Sequence, residues 1–209
     1  MQRTTIRASA WGADLPIDDD DARNRLLQAA EECYVEHGPS RTTMSHIATK
    51  AGVHRTTVYS YFPNREAVRA ACFVRAVAAV VDAGEEWFRA KGPFVDRVIN
   101  AALAGLDAVR RSQAMRSMIT ADELGPTHRA AEASEIWNTE VVRRFSERFA
   151  VAAAAGEVRS DVSPEALAHW VTRVCFSLID EPGRPEFGGD AGLLRAFLPG
   201  ALAPLPEPV

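Results

Sequence analysis

Between Thr43 and Arg65 the chain gathers hydroxyls, flat aromatics and guanidiniums more densely than a packed core requires. The stretch reads MSHIATKAGVHRTTVYSYFPNREAV over Met44–Val68. Arg55, Thr56, Thr57, Tyr59, Tyr61 and Arg65 are hydrogen-bond donors or planar rings, suited to phosphate oxygens and base edges. No other residue set offers comparable chemistry. There is no GxSxG, HExxH, GxGxxG or phosphate-loop pattern. The five histidines (37, 46, 54, 128 and 169) are scattered, so no metal site is expected. Asp122 and Glu123 are adjacent, point in different directions on a helix and make a poor carboxylate pair. Cys33, Cys72 and Cys175 are widely spaced with no CxxC, which reads as buried, reduced thiols. No catalytic set and no cofactor is expected.

The elements that position these residues follow from turn and cap chemistry. Thr43 is an N-cap for a helix that buries Ile47, Ala48 and Ala51. Gly52 supplies the positive φ that ends it, with Val53 plugging the turn. A second helix starts near His54 and keeps Val58 and Phe62 inside at i and i+4. Two short helices around a glycine turn make a helix-turn-helix with the second helix presented outward. Its expected outer residues are Arg55, Thr56, Thr57, Tyr59 and Tyr61. Pro63–Asn64 then breaks the chain and sets Arg65 at the next helix start, where backbone N–H groups and a cation face a phosphate. The competing reading is a plain helical corner whose tyrosines pack sideways; the polar outer face favours DNA.

Charge distribution agrees. The chain of 209 residues carries a net charge of −4, which argues against general coating of nucleic acid. Residues 22–75 nonetheless hold eight Arg and Lys against four acids, and residues 76–209 hold 14 against 19. A basic segment on an acidic body is a local footprint for an anionic partner. No apolar run approaches the roughly 20 residues that span a bilayer, and "DDDD" at Asp18–Asp21 replaces any secretory apolar region. A cytoplasmic protein without membrane association is expected.

Along the rest of the chain the pattern is helical. Helices are expected from Asp21 to His37, Arg65 to about Arg89, Phe94 to Arg111, Ala114 to Leu124, Thr127 to Ala155, Pro164 to Asp180 and Ala191 to Leu198. With the two short helices this gives an all-α chain of about nine helices. The expected division is a polar arm over 1–20, a DNA-binding domain over 21–68, a helical body over 69–203 and a tail over 204–209. Arg3 and Arg7 in the arm suit a minor groove, but a solvated tail is the simpler reading of them. In the body, Leu103, Trp137, Val141, Trp170 and Val174 are candidate lining for an apolar cavity. Met115 and Met118 would form an adaptable wall, and Asn138 and His169 the orienting polar groups. A solid core is the alternative. The helix over 164–180 is apolar around much of its circumference, which calls for more than one packing partner.

The residues Thr43, Ile47-Ala48, Ala51-Gly52-Val53, Thr57-Val58-Tyr59 and Tyr61-Phe62, with LLQAAEECYVEHGPSRTT upstream, resemble the DNA-binding domain of TetR-family regulators over nearly all of residues 22–75. The resemblance implies a homodimeric transcriptional repressor on a palindromic DNA operator, released by a small-molecule effector. It implies that Thr43 and Tyr59 touch phosphate, that Arg55 and Thr56 face bases, and that Tyr61 replaces an aromatic or His on the DNA backbone. It makes the second partner of the 164–180 helix its twin in another subunit, through Phe176, Leu194 and Phe197. Three positions depart from the family pattern: His54 stands for a Ser-like cap, so that it either starts the recognition helix less firmly or itself contacts DNA; Thr56 stands for a smaller residue, and Arg65 for Lys. A ligand-independent activator or architectural DNA binder is the alternative function. An all-α enzyme would need a convergent acid, base or metal set that the sequence does not show.

Overall fold

The computed structural model describes Trp11 and residues 15–120, 122, 123, 125–127, 129 and 142–205. Among these, ten α-helices and one 3-10 turn appear and no strand. The described residues within Met1–Arg75 and Gln113–Ser134 form one compact unit; those within Ala76–Ser112 and Glu135–Val209 form another.

In the first unit, α1 (Asp19–His37) starts on Asp18, whose carboxylate accepts the Asp21 N–H at 2.8 Å. Three aspartates in its first turn oppose the positive helix end. Gly38, at φ 80°, ends it. Leu26, Ala30, Cys33 and Tyr34 are buried, the i, i+4, i+7, i+8 stripe of an amphipathic helix. Helices α2 (Met44–Lys50) and α3 (Arg55–Tyr61) follow, and Asn64 caps α4 (Arg65–Ala83), which belongs to this unit through Arg75, by accepting the Ala67 N–H at 2.8 Å. Later in the chain, α7 (Gln113–Met118) packs on α1 with Met115 and Met118 buried.

The second unit holds α5 (Glu85–Arg89), α6 (Phe94–Arg111), α8 (Arg143–Ala154), α9 (Pro164–Asp180) and α10 (Gly189–Leu202). Phe94, Ile99, Leu106, Phe149, Leu167, Val171, Leu194 and Leu198 belong to its core. The single helix expected to Arg89 breaks at Gly84, where an added Cβ would lie 3.1 Å from Ala101 Cβ. Gly105 likewise lets α6 approach Val80; a Cβ there would lie 2.9 Å from Val80 Cγ1. The last helix continues to Leu202 through Pro199. Leu194, Leu198 and Leu202 form a buried i, i+4, i+8 stripe, and its burial outweighs the backbone donor that proline lacks.

Candidate nucleic-acid interface

The helix-turn-helix is built from the caps inward. Thr43 Oγ1 accepts the His46 N–H at 3.2 Å and His46 Nδ1 accepts the Thr43 N–H at 3.4 Å, a reciprocal capping box. The Thr43 hydroxyl proton stays available for a phosphate oxygen. Gly52 has φ 68°, the left-handed turn conformation glycine adopts without penalty. His54 replaces the usual hydroxyl cap: its Nδ1 accepts the Thr56 N–H at 3.4 Å and lies 2.8 Å from Thr56 Oγ1. The departure from a Ser-like residue therefore still provides a cap.

Val58 and Phe62 are fully buried beneath α3. Arg23 holds this end of the helix, with its guanidinium 4.6 Å above the Phe62 ring and Nη2 donating to the Tyr61 carbonyl at 3.4 Å. Arg55, Thr56 and Tyr59 face solvent. Arg55 Nη2 donates to the Tyr59 hydroxyl at 2.8 Å, with the guanidinium 5.2 Å from the ring centroid. Arg55 also occupies the first turn of α3, where a cation opposes the helix dipole. Local helix stability does not account for a cation at this position.

Two expected outer residues lie elsewhere. Thr57 is 9% exposed, on the inner face with Val58. The face buried by Val58 and Phe62 extends through 57 and 61, because 57–61 and 58–62 are both i, i+4 pairs. Tyr61 is half-buried: its hydroxyl donates to Asp19 Oδ1 at 3.3 Å, and Trp11 meets its ring edge-on at 6.4 Å. Burial, then Asp19, pushes its phenol above the usual range. The sequence reading of residues 1–20 as a polar arm misses Trp11, which is 7% exposed; a single tryptophan has no periodicity to reveal it. Arg65 is exposed, with Nη1 donating to the Ser40 carbonyl at 2.9 Å.

The body residues separate. Met115 and Met118 are buried in the first unit, not with Leu103 and Val174, which pack on the core of the second. Trp137, Asn138 and Val141 lie outside the described residues. His169 and Trp170 are exposed, because α9 turns Leu167, Ala168, Val171 and Leu178 inward. Leu194 is buried in its own core at 2%, whereas Phe197 is 68% exposed and Phe176 half-buried. Leu194 is thus taken by its own subunit. The second unit also carries a cleft of about 510 Å³ whose lining includes Phe88, Phe94, Arg97, Arg144, Arg148 and Glu157. It is more charged than the apolar site expected from the sequence. Burial pushes the Cys175 thiol up to about 12 and raises Cys33 and Cys72 as well, which disfavours the reactive thiolates; Cys33 and Cys72 are buried as expected, whereas Cys175 is half-buried.

Comparison with known proteins agrees with this geometry. Residues 26–72 match the sequence model described as bacterial regulatory proteins, tetR family. The uncharacterized HTH-type transcriptional regulator Rv1255c of Mycobacterium tuberculosis is 29% identical over 187 residues, spanning 85% of this chain and 84% of that protein. The transcriptional repressor QsdR of R. erythropolis superposes with a TM-score of 0.61 at 20% identity, covering 91% of this chain and 100% of that one. RolR in complex with resorcinol gives a TM-score of 0.66 at 14% identity, covering 89% of each chain. No helix among the described residues is long and apolar enough to cross a membrane. With a capped helix-turn-helix inside residues 26–72 and only helical elements among the other described residues, the chain carries a DNA-binding segment that matches the tetR family and is similar over most of its length to HTH-type transcriptional regulators.

Proposed function

We propose that this chain is a cytoplasmic, ligand-responsive repressor that binds a palindromic operator as a homodimer. The observation that carries the reading is the outer face of α3: Arg55, Thr56 and Tyr59 exposed and Arg55 bonded to Tyr59, with Thr43 and Arg65 beside them. Each subunit sets one α3 into a major groove, Arg55 and Thr56 reading base edges and Thr43, Tyr59 and Arg65 holding phosphates. His54 acts through the cap, and Thr57 and Tyr61 act as supports of the helix, not as contacts.

The second copy is brought by exposed aromatics on α9 and α10. Trp170 is 40% and Phe197 68% exposed and Phe176 is half-buried; exposed aromatics on these two helices are what a twofold apolar interface would use. An effector in the body is supported by the two-unit construction and by RolR, whose structure was solved with resorcinol. Leu103 and Val174 remain the described members of its lining. The ligand needs only to favour the conformation that does not fit the operator, with coupling of about 1–3 kcal/mol.

The test is selection of bound fragments from the source genome by the purified full-length chain, followed by sequencing. A recovered palindrome with half-sites about one helical turn apart supports the reading. Recovery of unrelated fragments with no common motif would refute it.

A further inference from the structure

Glu123 lies far from the helix-turn-helix in sequence and within its unit in space. It is 8% exposed. Its Oε1 accepts the Ser40 N–H at 2.9 Å, and its Oε2 accepts Arg69 Nη2 at 2.6 Å. Arg69 Nη2 also lies 3.4 Å from Ser40 Oγ. From the opposite side, Arg65 Nη1 donates to the Ser40 carbonyl at 2.9 Å. Both backbone polar groups of Ser40 are therefore held, one by a carboxylate and one by the guanidinium assigned above to phosphate. Ser40 stands three residues before Thr43. Between them Thr42 is fully buried, its hydroxyl within hydrogen-bond reach of the Cys33 and Gly38 carbonyls at 3.2 and 2.9 Å.

We propose that Glu123 is a positioning residue for operator binding: through Arg69 and Ser40 it fixes the turn that carries Thr43 and orients Arg65. This rests on the DNA-binding reading above. The phosphate-facing surface is then completed by the segment that returns after α6, not by the first 75 residues alone. That segment is anchored by Met115 and Met118, and its Thr127 N–H donates to the Glu123 carbonyl at 2.9 Å. Charge-assisted bonds at low exposure fix geometry well. Their net gain in stability is small, because desolvating both charges offsets most of the attraction. What the network supplies is position. Ser112 alone separates α6 from α7 in the chain, so the segment that carries Glu123 follows directly on a helix of the second unit.

The experiment measures binding of the full-length chain to the selected operator by fluorescence anisotropy. The variants are Glu123→Gln and the apolar pair Arg69→Met with Glu123→Met. The apolar pair keeps the fold, since a buried ion pair replaced by well-packed apolar groups is often neutral for stability. Operator binding is expected to weaken about tenfold in each. Hydrogen exchange should rise in the peptide over 38–43 and stay unchanged over α3. Folded variants that bind within about twofold of the wild type would overturn the proposal. Failure of both variants to fold would overturn it too, because Glu123 would then be a determinant of the fold. A wild-type chain that selects no operator refutes the DNA-binding reading instead, so the two failures are distinguishable.

Discussion

Replacing Arg55 by Ala separates recognition from stability. In the free protein its side chain rests on Tyr59, through a 2.8 Å hydrogen bond and a 5.2 Å cation–π contact at the surface. That contact is worth about 0.5–1 kcal/mol, and it is lost from the free and bound states alike, so it largely cancels from the affinity. Helix propensity changes little between Arg and Ala. Removing a cation from the first turn relieves about 0.3–1 kcal/mol of unfavourable dipole interaction. Thermal stability should therefore stay level within a few degrees. Loss of a bidentate base contact costs about 1–3 kcal/mol, which is about 5- to 150-fold in Kd. The assay is anisotropy titration against the selected operator and a scrambled duplex at two salt concentrations. Arg55→Ala should narrow the ratio between the two duplexes. Arg65→Ala should instead lower both affinities and flatten the salt dependence by about one ion. Equal losses on both duplexes in the Arg55 variant would make it a phosphate contact, and an unchanged operator affinity would sink the base-reading role.

Tyr61→Phe should leave operator affinity within about twofold of wild type, because the lost hydroxyl serves Asp19; a tenfold loss in the same titration would place the hydroxyl on DNA. His54→Ala should cost about 1 kcal/mol in urea unfolding and His54→Ser much less, since the ring acts as a cap. Phe197→Glu should convert a dimer to a folded monomer in sedimentation at micromolar concentration; an unchanged dimer would move the interface off α10. The thiols supply a pH prediction. The Cys175 pKa is raised from the ordinary 9.0 to about 12, so its contribution to stability is complete below pH 9. It is lost between pH 9 and 12, where the unfolded chain ionises first. Native protein at about pH 8, below the ordinary thiol pKa, should react slowly with a thiol reagent and release all three thiols only after denaturation.

Much of the site is legible in the sequence because punctuation residues carry local geometry. Thr43, Gly52 and Pro63–Asn64 mark where helices start and stop whatever packs against them. What escapes depends on a third dimension. The phase of α3 is set by Val58 and Phe62, but threonine is neutral between core and surface, so Thr57 reads as outward. His169 and Trp170 read as lining because composition names apolar residues without saying which side of α9 they take. Pro199 reads as a stop because the leucine stripe that carries the helix past it acts through tertiary burial. Glu123 reads beside Asp122 only as half of a poor carboxylate pair. Its actual partners, Ser40 and Arg69, stand 83 and 54 residues away, a separation that no local pattern encodes.

A recognition helix of seven residues is too short to be stable alone, since isolated helices below about 12 residues are marginal in water. Its order must come from outside it. Val58 and Phe62 seat it, His54 caps it, Arg23 holds its carboxyl end and Trp11 covers Tyr61. Each of these supports acts at the inner face or the ends, which leaves Arg55, Thr56 and Tyr59 exposed to solvent, as the proposed DNA contact requires. That division has a consequence for binding. Ordering a long side chain at an interface costs about 0.5–1.5 kcal/mol, and in the proposed complex the Arg55–Tyr59 contact would offset part of that cost. Arg55→Lys tests this separately from charge: lysine keeps the cation but loses the planar fork on both the ring and the base. The Arg55→Lys variant should therefore bind the operator more weakly than wild type, yet match it on the scrambled duplex, where only charge counts. Equality with wild type on both duplexes would show that the Arg55–Tyr59 pair contributes nothing to recognition.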